Sequence, residues 1–253
     1  MFKWLAKLTR RTDASATVGN TEAVCPHCNH RLAKKPGRKT KCPNCANFIY
    51  VRTRPSDNQK VLVTEEQKEV IEEQWSIVNG THDLYLAERR AREQKKTQLS
   101  KRTGRAPSKN EVEWSLLQEE LKVHAKNGNS GLYRNSRFQM AEILRKESKL
   151  KDALTLYLEV CYLDLNEPRN TGGERHPLIR KMFPPFSPDE GLLVLDVVVR
   201  MSNIVQDLGI GPSETKQMFD PMARLLKTRL QLPMNPNAAW LQIEAELFGD
   251  ASE

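Results

Sequence analysis

Apolar residues recur at helical spacing through most of the chain after residue 63. Two segments open with the residues of a capping box, Thr64 with Gln67 and Ser108 with Glu111. In a capping box, the side chain of each residue of the pair accepts a hydrogen bond from the backbone N–H of the other. Asparagine, glycine and proline separate the periodic segments. The pattern predicts helices over residues 64–79, 81–100, 108–126, 132–147, 151–165, 213–229 and 235–248.

The segment between residues 166 and 204 has two contrasting parts. Residues 166–189 are rich in proline and glycine and predict an irregular loop. Ser187 and Pro188 then have the residue types that start a helix, and the apolar run over 192–204 predicts the buried central helix of the domain. The loop is also basic, so we weigh a surface connector against a site that binds an anion or a partner. Its basic residues are Arg169, Arg175, His176, Arg180 and Lys181.

The predicted helices over 132–147 and 151–165 are separated by a short turn, which predicts a helical hairpin. The hairpin resembles one tetratricopeptide repeat, in which small and bulky residues alternate between the paired helices: Ala141, Leu144, Ala153 and Tyr157. Three positions depart from the repeat pattern: Arg137, Ser148 and Leu165. Stable arrays need at least about three units, and we detect one, so the expectation is a tetratricopeptide-like hairpin within a helical domain. Residues 131–135 and 157–165 also resemble uncharacterised bacterial or phage proteins, which implies no activity.

The segment before residue 57 contains two Cys-x-x-Cys pairs. Residues 29–41 separate the pair Cys25 and Cys28 from the pair Cys42 and Cys45. Two residues between cysteines let one tight turn present both sulfurs to an ion, and two such turns complete a tetrahedral site. Thiolates favour zinc, with iron as an alternative metal. Two disulfides, a redox dithiol, or ligation by His27 or His30 remain as other interpretations.

Residues 21–54 resemble a zinc ribbon, a small three-stranded module that holds one zinc between two such turns. The resemblance implies that Cys25, Cys28, Cys42 and Cys45 are the ligands and that residues 47–52 form the closing strand. Four sulfurs leave no open coordination position, so the expected cofactor is one structural Zn²⁺ rather than a catalytic one. Cys161 stands alone and is expected in the core. This cysteine usage predicts a reducing, cytoplasmic location.

Positive charge is concentrated at the cysteine-containing end. The chain has a formal net charge of +8; residues 1–60 hold 13 Lys and Arg against 3 Asp and Glu, a net of +10, which leaves −2 for residues 61–253. Such a basic module attracts phosphate backbones. Phe48 and Tyr50 are two apart on the expected strand, where they would share a face and either stack on bases or cover the small core. The candidate nucleic-acid contacts are Lys34, Lys35, Arg38, Lys39, Lys41, Phe48, Tyr50 and Arg52.

The basic helix over 81–100 has few apolar residues and is expected either to bridge domains or to contact an acidic partner. No apolar run is long enough to span a membrane, and residues 1–8 lack the pattern of a signal peptide, so we expect no membrane partner. No phosphate-binding loop or His-Glu-x-x-His motif is present, and the histidines have no catalytic spacing.

We therefore predict a mainly α protein in which a small N-terminal β zinc ribbon is followed by a helical domain. The expected divisions are a basic tail (1–20), the ribbon (21–56), a charged helical connector (57–107) and the helical domain (108–253). The predicted function is a non-enzymatic, zinc-binding adaptor whose ribbon docks on nucleic acid or a nucleic-acid-bound complex and whose helices bind a protein. One alternative is a protein-interaction module that never touches nucleic acid. Another is an enzyme or anion sensor that uses the basic loop over 166–181.

Overall fold

The structure, a computed structural model, describes residues 18–174 and 176–249. The predicted basic tail as far as residue 17, and Arg175, lie outside the described residues. Contacts divide the chain into two units, Met1–Glu93 and Gln94–Glu253. The predicted fold class is confirmed, since a small antiparallel sheet precedes nine α-helices within the described residues. The limits of the four predicted divisions stay a prediction.

The elements are numbered in chain order. The strands are β1 (Thr40–Lys41), β2 (Phe48–Thr53) and β3 (Lys60–Val63). The helices are α1 (Glu65–Val78), α2 (His82–Thr103), α3 (Lys109–Lys126), α4 (Ser130–Lys146), α5 (Leu150–Asp164), α6 (Pro177–Met182), α7 (Leu195–Leu208), α8 (Pro212–Leu230) and α9 (Pro236–Phe248). None of the helices in the described ranges is long and apolar enough to cross a bilayer.

The strand over residues 48–53 is the central strand of the sheet, whereas the sequence predicted a closing strand over 47–52. The order is β1-β2-β3, and β2 pairs antiparallel with both neighbours. The third strand, β3, lies beyond the expected end of the ribbon at residue 56. It is buried on both faces, because Leu62 packs beside the cysteines while Val61 and Val63 pack against Ile71 of α1.

Helix α1 begins at the capping box expected from the sequence. The Thr64 hydroxyl accepts from the Gln67 N–H, and the Gln67 side chain accepts from the Thr64 N–H. Trp75 donates its indole N–H to the Thr53 carbonyl oxygen at 2.7 Å. This bond and the buried Ile71 fix α1 against the sheet.

In the second unit, α5 is the buried central helix, not the apolar run over 192–204. Helix α5 packs against α4, α7, α8 and α9, and every side chain from Tyr157 to Asp164 is buried. Helix α7 buries only one stripe, and Leu195 at its start is 72% exposed. The most apolar segment is therefore not the helix that the other helices surround.

The predicted hairpin is present as α4 and α5, and it buries all four residues that carried the repeat resemblance: Ala141, Leu144, Ala153 and Tyr157. Ser148 in the connecting turn has φ of +59°, the left-handed conformation that glycine adopts most easily. The turn therefore places a strain on the Cβ of Ser148 that glycine would not have.

The segment over 166–194 is more ordered than its composition predicted. It contains α6 and a 3₁₀ turn over Pro188–Glu190, and the following helix starts at Leu195 rather than at Ser187, whose side chain makes no cap bond. Asn166 is fully buried and anchors the segment. Its side chain donates to the Tyr162 carbonyl oxygen at 2.7 Å and accepts from the Met234 N–H at 2.9 Å.

Candidate metal centre

The two Cys-x-x-Cys pairs fold into the same turn. The carbonyl oxygen of the first cysteine, Cys25 or Cys42, accepts at 3.0 Å from the N–H four residues later. The N–H of that cysteine donates at 2.9 Å to the carbonyl oxygen five residues later. The fourth residue after each first cysteine, Asn29 or Ala46, has φ of 57°. Each pair is therefore held by a local network that positions two sulfurs on one side.

The four sulfur atoms of Cys25, Cys28, Cys42 and Cys45 lie within 4.8 Å of one another, as the spacing predicted. The Sγ atoms of Cys25 and Cys45 are 3.8 Å apart, and those of Cys28 and Cys42 are also 3.8 Å apart. A tetrahedral ion with bonds of about 2.3 Å separates its sulfurs by about 3.8 Å. A disulfide needs about 2.05 Å. The geometry fits a single metal ion and does not fit a disulfide.

The site combines buried sulfurs with nearby hydrogen-bond donors. Cys25 and Cys42 are buried, and burial raises the pKa of the Cys25 thiol to about 12. The His27 N–H lies 3.4 Å from the Cys25 sulfur and donates to it. The Asn44 amide donates to the Cys28 sulfur at 3.6 Å and is the main cause that lowers the Cys28 pKa to about 6. Such donors stabilise thiolates, the form that binds a metal.

His27 is engaged elsewhere, which disfavours the alternative in which it binds the metal. Its Nε2 lies 3.0 Å from the Phe48 carbonyl oxygen, to which it donates. Within the described residues, the cluster of side chains close enough to share one ion contains cysteines alone. His30 is exposed and is not part of that cluster.

The apolar core beneath the cysteines is small. Ile49 of β2 and Leu62 of β3 are fully buried there, together with Cys25 and Cys42. Half of this buried cluster is therefore made of ligand residues. A core of this size gives little stabilisation by itself, so a metal would make a large contribution to the fold of the sheet.

Basic and aromatic side chains meet at the start of β2. The Lys39 ammonium lies 4.1 Å from the centre of the Phe48 ring and 4.8 Å from that of Tyr50. The Lys41 ammonium lies 5.2 Å from the Phe48 ring centre. Phe48 and Tyr50 thus share a face, as the alternation along a strand predicts. Phe48 is 44% exposed, which leaves part of its ring accessible.

Three candidate contact residues are engaged within the protein. Tyr50 donates its hydroxyl to Glu65, which raises its pKa to about 12. Arg52 forms an ion pair with Glu72 at 3.3 Å. Both glutamates belong to α1, and no local sequence signal marks these contacts.

The third of these residues is Lys35. Its ammonium donates to the backbone carbonyl oxygens of Thr21 at 2.6 Å and Lys60 at 2.5 Å. Lys35 therefore connects the segment before the first cysteine pair to β3, a structural role that its charge alone does not suggest.

The remaining candidates form what we call the basic surface: Lys34, Arg38, Lys39, Lys41 and Phe48. All five are exposed. None of the four cations forms an ion pair with a carboxylate in residues 18–174 or 176–249. The basic surface lies on the loop between the cysteine pairs, on β1 and at the start of β2.

No protein-family model matches this chain, and no curated protein or solved structure matches it significantly. The ribbon and repeat resemblances rest on the residues quoted for them.

Proposed function

We propose that the chain is a non-enzymatic, zinc-binding adaptor whose N-terminal ribbon docks on nucleic acid or on a nucleic-acid-bound complex, while its helical domain binds a protein. The observation that carries the proposal is the basic surface, which has four exposed cations without carboxylate partners among the described residues, two of them beside an exposed aromatic ring.

Nucleic acid offers a binding group for each component of this surface, phosphates for the cations and bases for the aromatic ring. Its phosphates pair with lysine and arginine, and counterion release makes such binding favourable at low salt. Its bases stack on aromatic rings, and a base on Phe48 would bring negative phosphates near Lys39 and Lys41. A surface cation that already pairs with a carboxylate, such as Arg52, contributes less binding free energy when it contacts a phosphate.

Zinc has a structural role in this proposal. The loop over residues 29–41 carries Lys34, Arg38 and Lys39, and it connects the two cysteine pairs. An ion held by all four sulfurs fixes both ends of this loop and leaves no position for a substrate. The metal therefore organises the basic surface without taking part in a reaction.

Exposed apolar residues support the assignment of protein binding to the helical domain. Scattered exposed apolar residues are ordinary, but several large ones occur here within a short stretch of sequence. They are Leu178, Ile179, Met182, Phe183, Leu192, Val194, Leu195 and Val199.

The test is fluorescence anisotropy of labelled single-stranded RNA, single-stranded DNA and duplex DNA with the zinc-loaded chain over a salt series. The test variant changes all four cations of the basic surface to alanine. A control variant removes the same charge from exposed positions of the second unit: Lys122, Lys146, Lys151 and Arg224.

Each phosphate contact contributes about 0.7 to the salt slope for a single strand and about 0.9 for a duplex. The test variant, which loses four cations, should therefore lose about 2.8 from the slope for a single strand and about 3.6 for a duplex, whereas the control keeps its slope. Equal effects of both variants, or no binding by the unchanged chain at low salt, would contradict the proposal. Binding to an acidic polypeptide without binding to any nucleic acid would favour the protein-only alternative.

A further inference from the structure

The second unit contains a cavity of about 290 Å³ next to the N-terminal end of α4. The half-buried Phe186 and Leu230 supply its accessible aromatic and aliphatic walls, the buried Tyr133 and Leu163 lie behind them, and Arg180 of α6 and Arg229 of α8 also line it. A neighbouring cavity of about 200 Å³ is lined by Arg180 as well. The two cavities share Ala125, Gly128, Arg180 and Pro185 and so are adjacent; together we call them the cleft.

The arginines of this cleft have no ion-pair partner in the described part of the chain. Glu174 lines the smaller cavity but forms no ion pair with Arg180 among the described residues, and its Oε1 accepts from the His176 N–H at 2.6 Å. Tyr133 of the larger cavity contacts a second carboxylate, Glu159, which is buried. It pairs with Arg137 at 2.7 Å and accepts from the Tyr133 hydroxyl at 3.4 Å. The negative charge beneath the cleft is therefore balanced without Arg180 or Arg229.

Arg229 is close enough to act on this buried network. Burial raises the pKa of Glu159, while Arg137 and then Arg229 act to lower it. Burial likewise raises the pKa of Tyr133, and Arg229 is among the charges that oppose this. The side of the cleft near Tyr133 thus experiences the positive field of Arg229 in addition to that of the paired Arg137.

The backbone adds to this positive potential. Ser130, the first residue of α4, lines the cavity, and Gly128 lines both parts of the cleft. The N-terminal end of a helix of this length carries a partial positive charge. Its contribution is secondary to that of two guanidinium groups.

We infer that this cleft binds a small organic anion, a compact apolar or aromatic body that carries one phosphate or carboxylate group. The walls of Phe186 and Leu230 match the body, and the guanidinium groups of Arg180 and Arg229 match the anionic head. A volume of about 290 Å³ is just below the usual range of ligand pockets, about 300–1,000 Å³, and so suits a small ligand. This inference is independent of the basic surface and of nucleic-acid binding.

The experiment is isothermal titration of the full, zinc-loaded chain with four probes. Phenyl phosphate and benzoate have the proposed body and differ in the anionic head, inorganic phosphate has the head alone, and phenol has the body alone. At least one of the first two should bind more tightly than both inorganic phosphate and phenol. The better of the two identifies the head group.

Substitutions assign the binding to the cleft. Arg180→Gln and Arg229→Gln should each weaken the better probe at least tenfold, and the double variant should abolish its binding. Two controls remove one charge from the same helices outside the cleft, Lys181→Gln in α6 and Arg224→Gln in α8, and should bind as the unchanged chain does. Arg229→Lys keeps the charge without the planar fork and should bind with intermediate affinity.

Circular dichroism melts of each variant show whether a loss of binding reflects unfolding. Folded cleft variants that bind the probe as the controls do would overturn the inference. So would the absence of heat with phenyl phosphate and benzoate for the unchanged chain at millimolar concentrations. If the double variant does not fold, the binding affinities of the two single variants and of Arg229→Lys test the inference.

Discussion

Removal of the metal should unfold the three-stranded sheet and leave the second unit folded. Complete burial of Ile49 and Leu62 contributes about 1.5–3 kcal/mol each, or about 3–6 kcal/mol together. Zinc binding to a structural site of this type contributes about 10–16 kcal/mol at neutral pH. Val61, Val63 and Ile71 on the other face add about 4.5–9 kcal/mol, which brings the apolar total to about 7.5–15 kcal/mol. Ordering the backbone costs about 1–2 kcal/mol per residue, so these contacts do not hold the sheet without the metal.

The perturbation has two forms, a chelator and the substitution Cys42→Ser. Cys42 is buried, and its sulfur lies 3.8 Å from that of Cys28. Serine offers a poorer ligand, so the variant should bind metal much more weakly. Cys161→Ser is the matched control, because Cys161 is also buried but lies in the core of the second unit. The control should keep one metal ion per chain.

Three measurements check this prediction. Elemental analysis gives the metal content, and X-ray absorption of the unchanged chain should show four sulfurs at about 2.3 Å. Hydrogen exchange should show that chelation removes protection from β2 and β3 and leaves α5 protected. If β2 and β3 stay protected from hydrogen exchange in a sample shown to be free of metal, the reasoning is refuted. A nitrogen ligand in the absorption spectrum would refute the four-sulfur assignment.

Three further predictions concern the second unit. Ser148→Gly should raise the free energy of unfolding by about 0.5–1 kcal/mol in urea melts, because glycine adopts φ of +59° without strain. Asn166→Ala should lower it by about 1–3 kcal/mol in the same assay, because the buried N–H of Met234 loses its acceptor. Glu142 has a pKa of about 2: burial acts to raise it, but donors from Arg145 and Tyr157 lower it. Since this folded pKa is below the ordinary 4.5, the contribution of Glu142, up to about 3 kcal/mol, is present above pH 4.5 and lost as the pH falls towards 2. In urea melts over that pH range, Glu142→Gln should show a shallower loss of stability.

Each of these predictions has a control. Ser148→Ala removes the hydroxyl but keeps the Cβ, so it should not stabilise the protein, and equal gains from alanine and glycine would contradict the strain argument. Asn166→Asp keeps an acceptor for Met234 and should cost less than alanine at pH values where the carboxylate is charged. An unchanged pH slope in Glu142→Gln would show that another carboxylate governs acid unfolding.

Local spacing was sufficient to predict that four cysteines meet in a cluster that could hold a metal. Two cysteines separated by two residues share one tight turn, and the backbone bonds within each turn span at most six positions. The chemistry of a four-sulfur site therefore follows from short stretches of sequence. The helix starts at Thr64 and Ser108 follow from equally local capping bonds.

Contacts between distant segments limited the prediction of the basic surface. Tyr50 and Arg52 have the residue types that contact nucleic acid, but Glu65 and Glu72 of α1 engage them. The sequence contains no signal for these pairs, because they depend on how α1 packs on the sheet. The sequence analysis also missed strand β3. Helix α1 covers its second face, and a strand buried on both faces lacks the alternation of a half-exposed one.

The sequence by itself determined the mainly helical class, the helical hairpin over α4 and α5 and the meeting of four cysteines, because each depends on periodicity or spacing within a few turns of chain. The tertiary structure decided which helix is central and which cations stay exposed. It also brought Arg180 and Arg229, which lie far apart in the sequence, to one cleft. Burial and charge pairing are properties of the neighbours that surround a residue, and those neighbours come from distant parts of the chain.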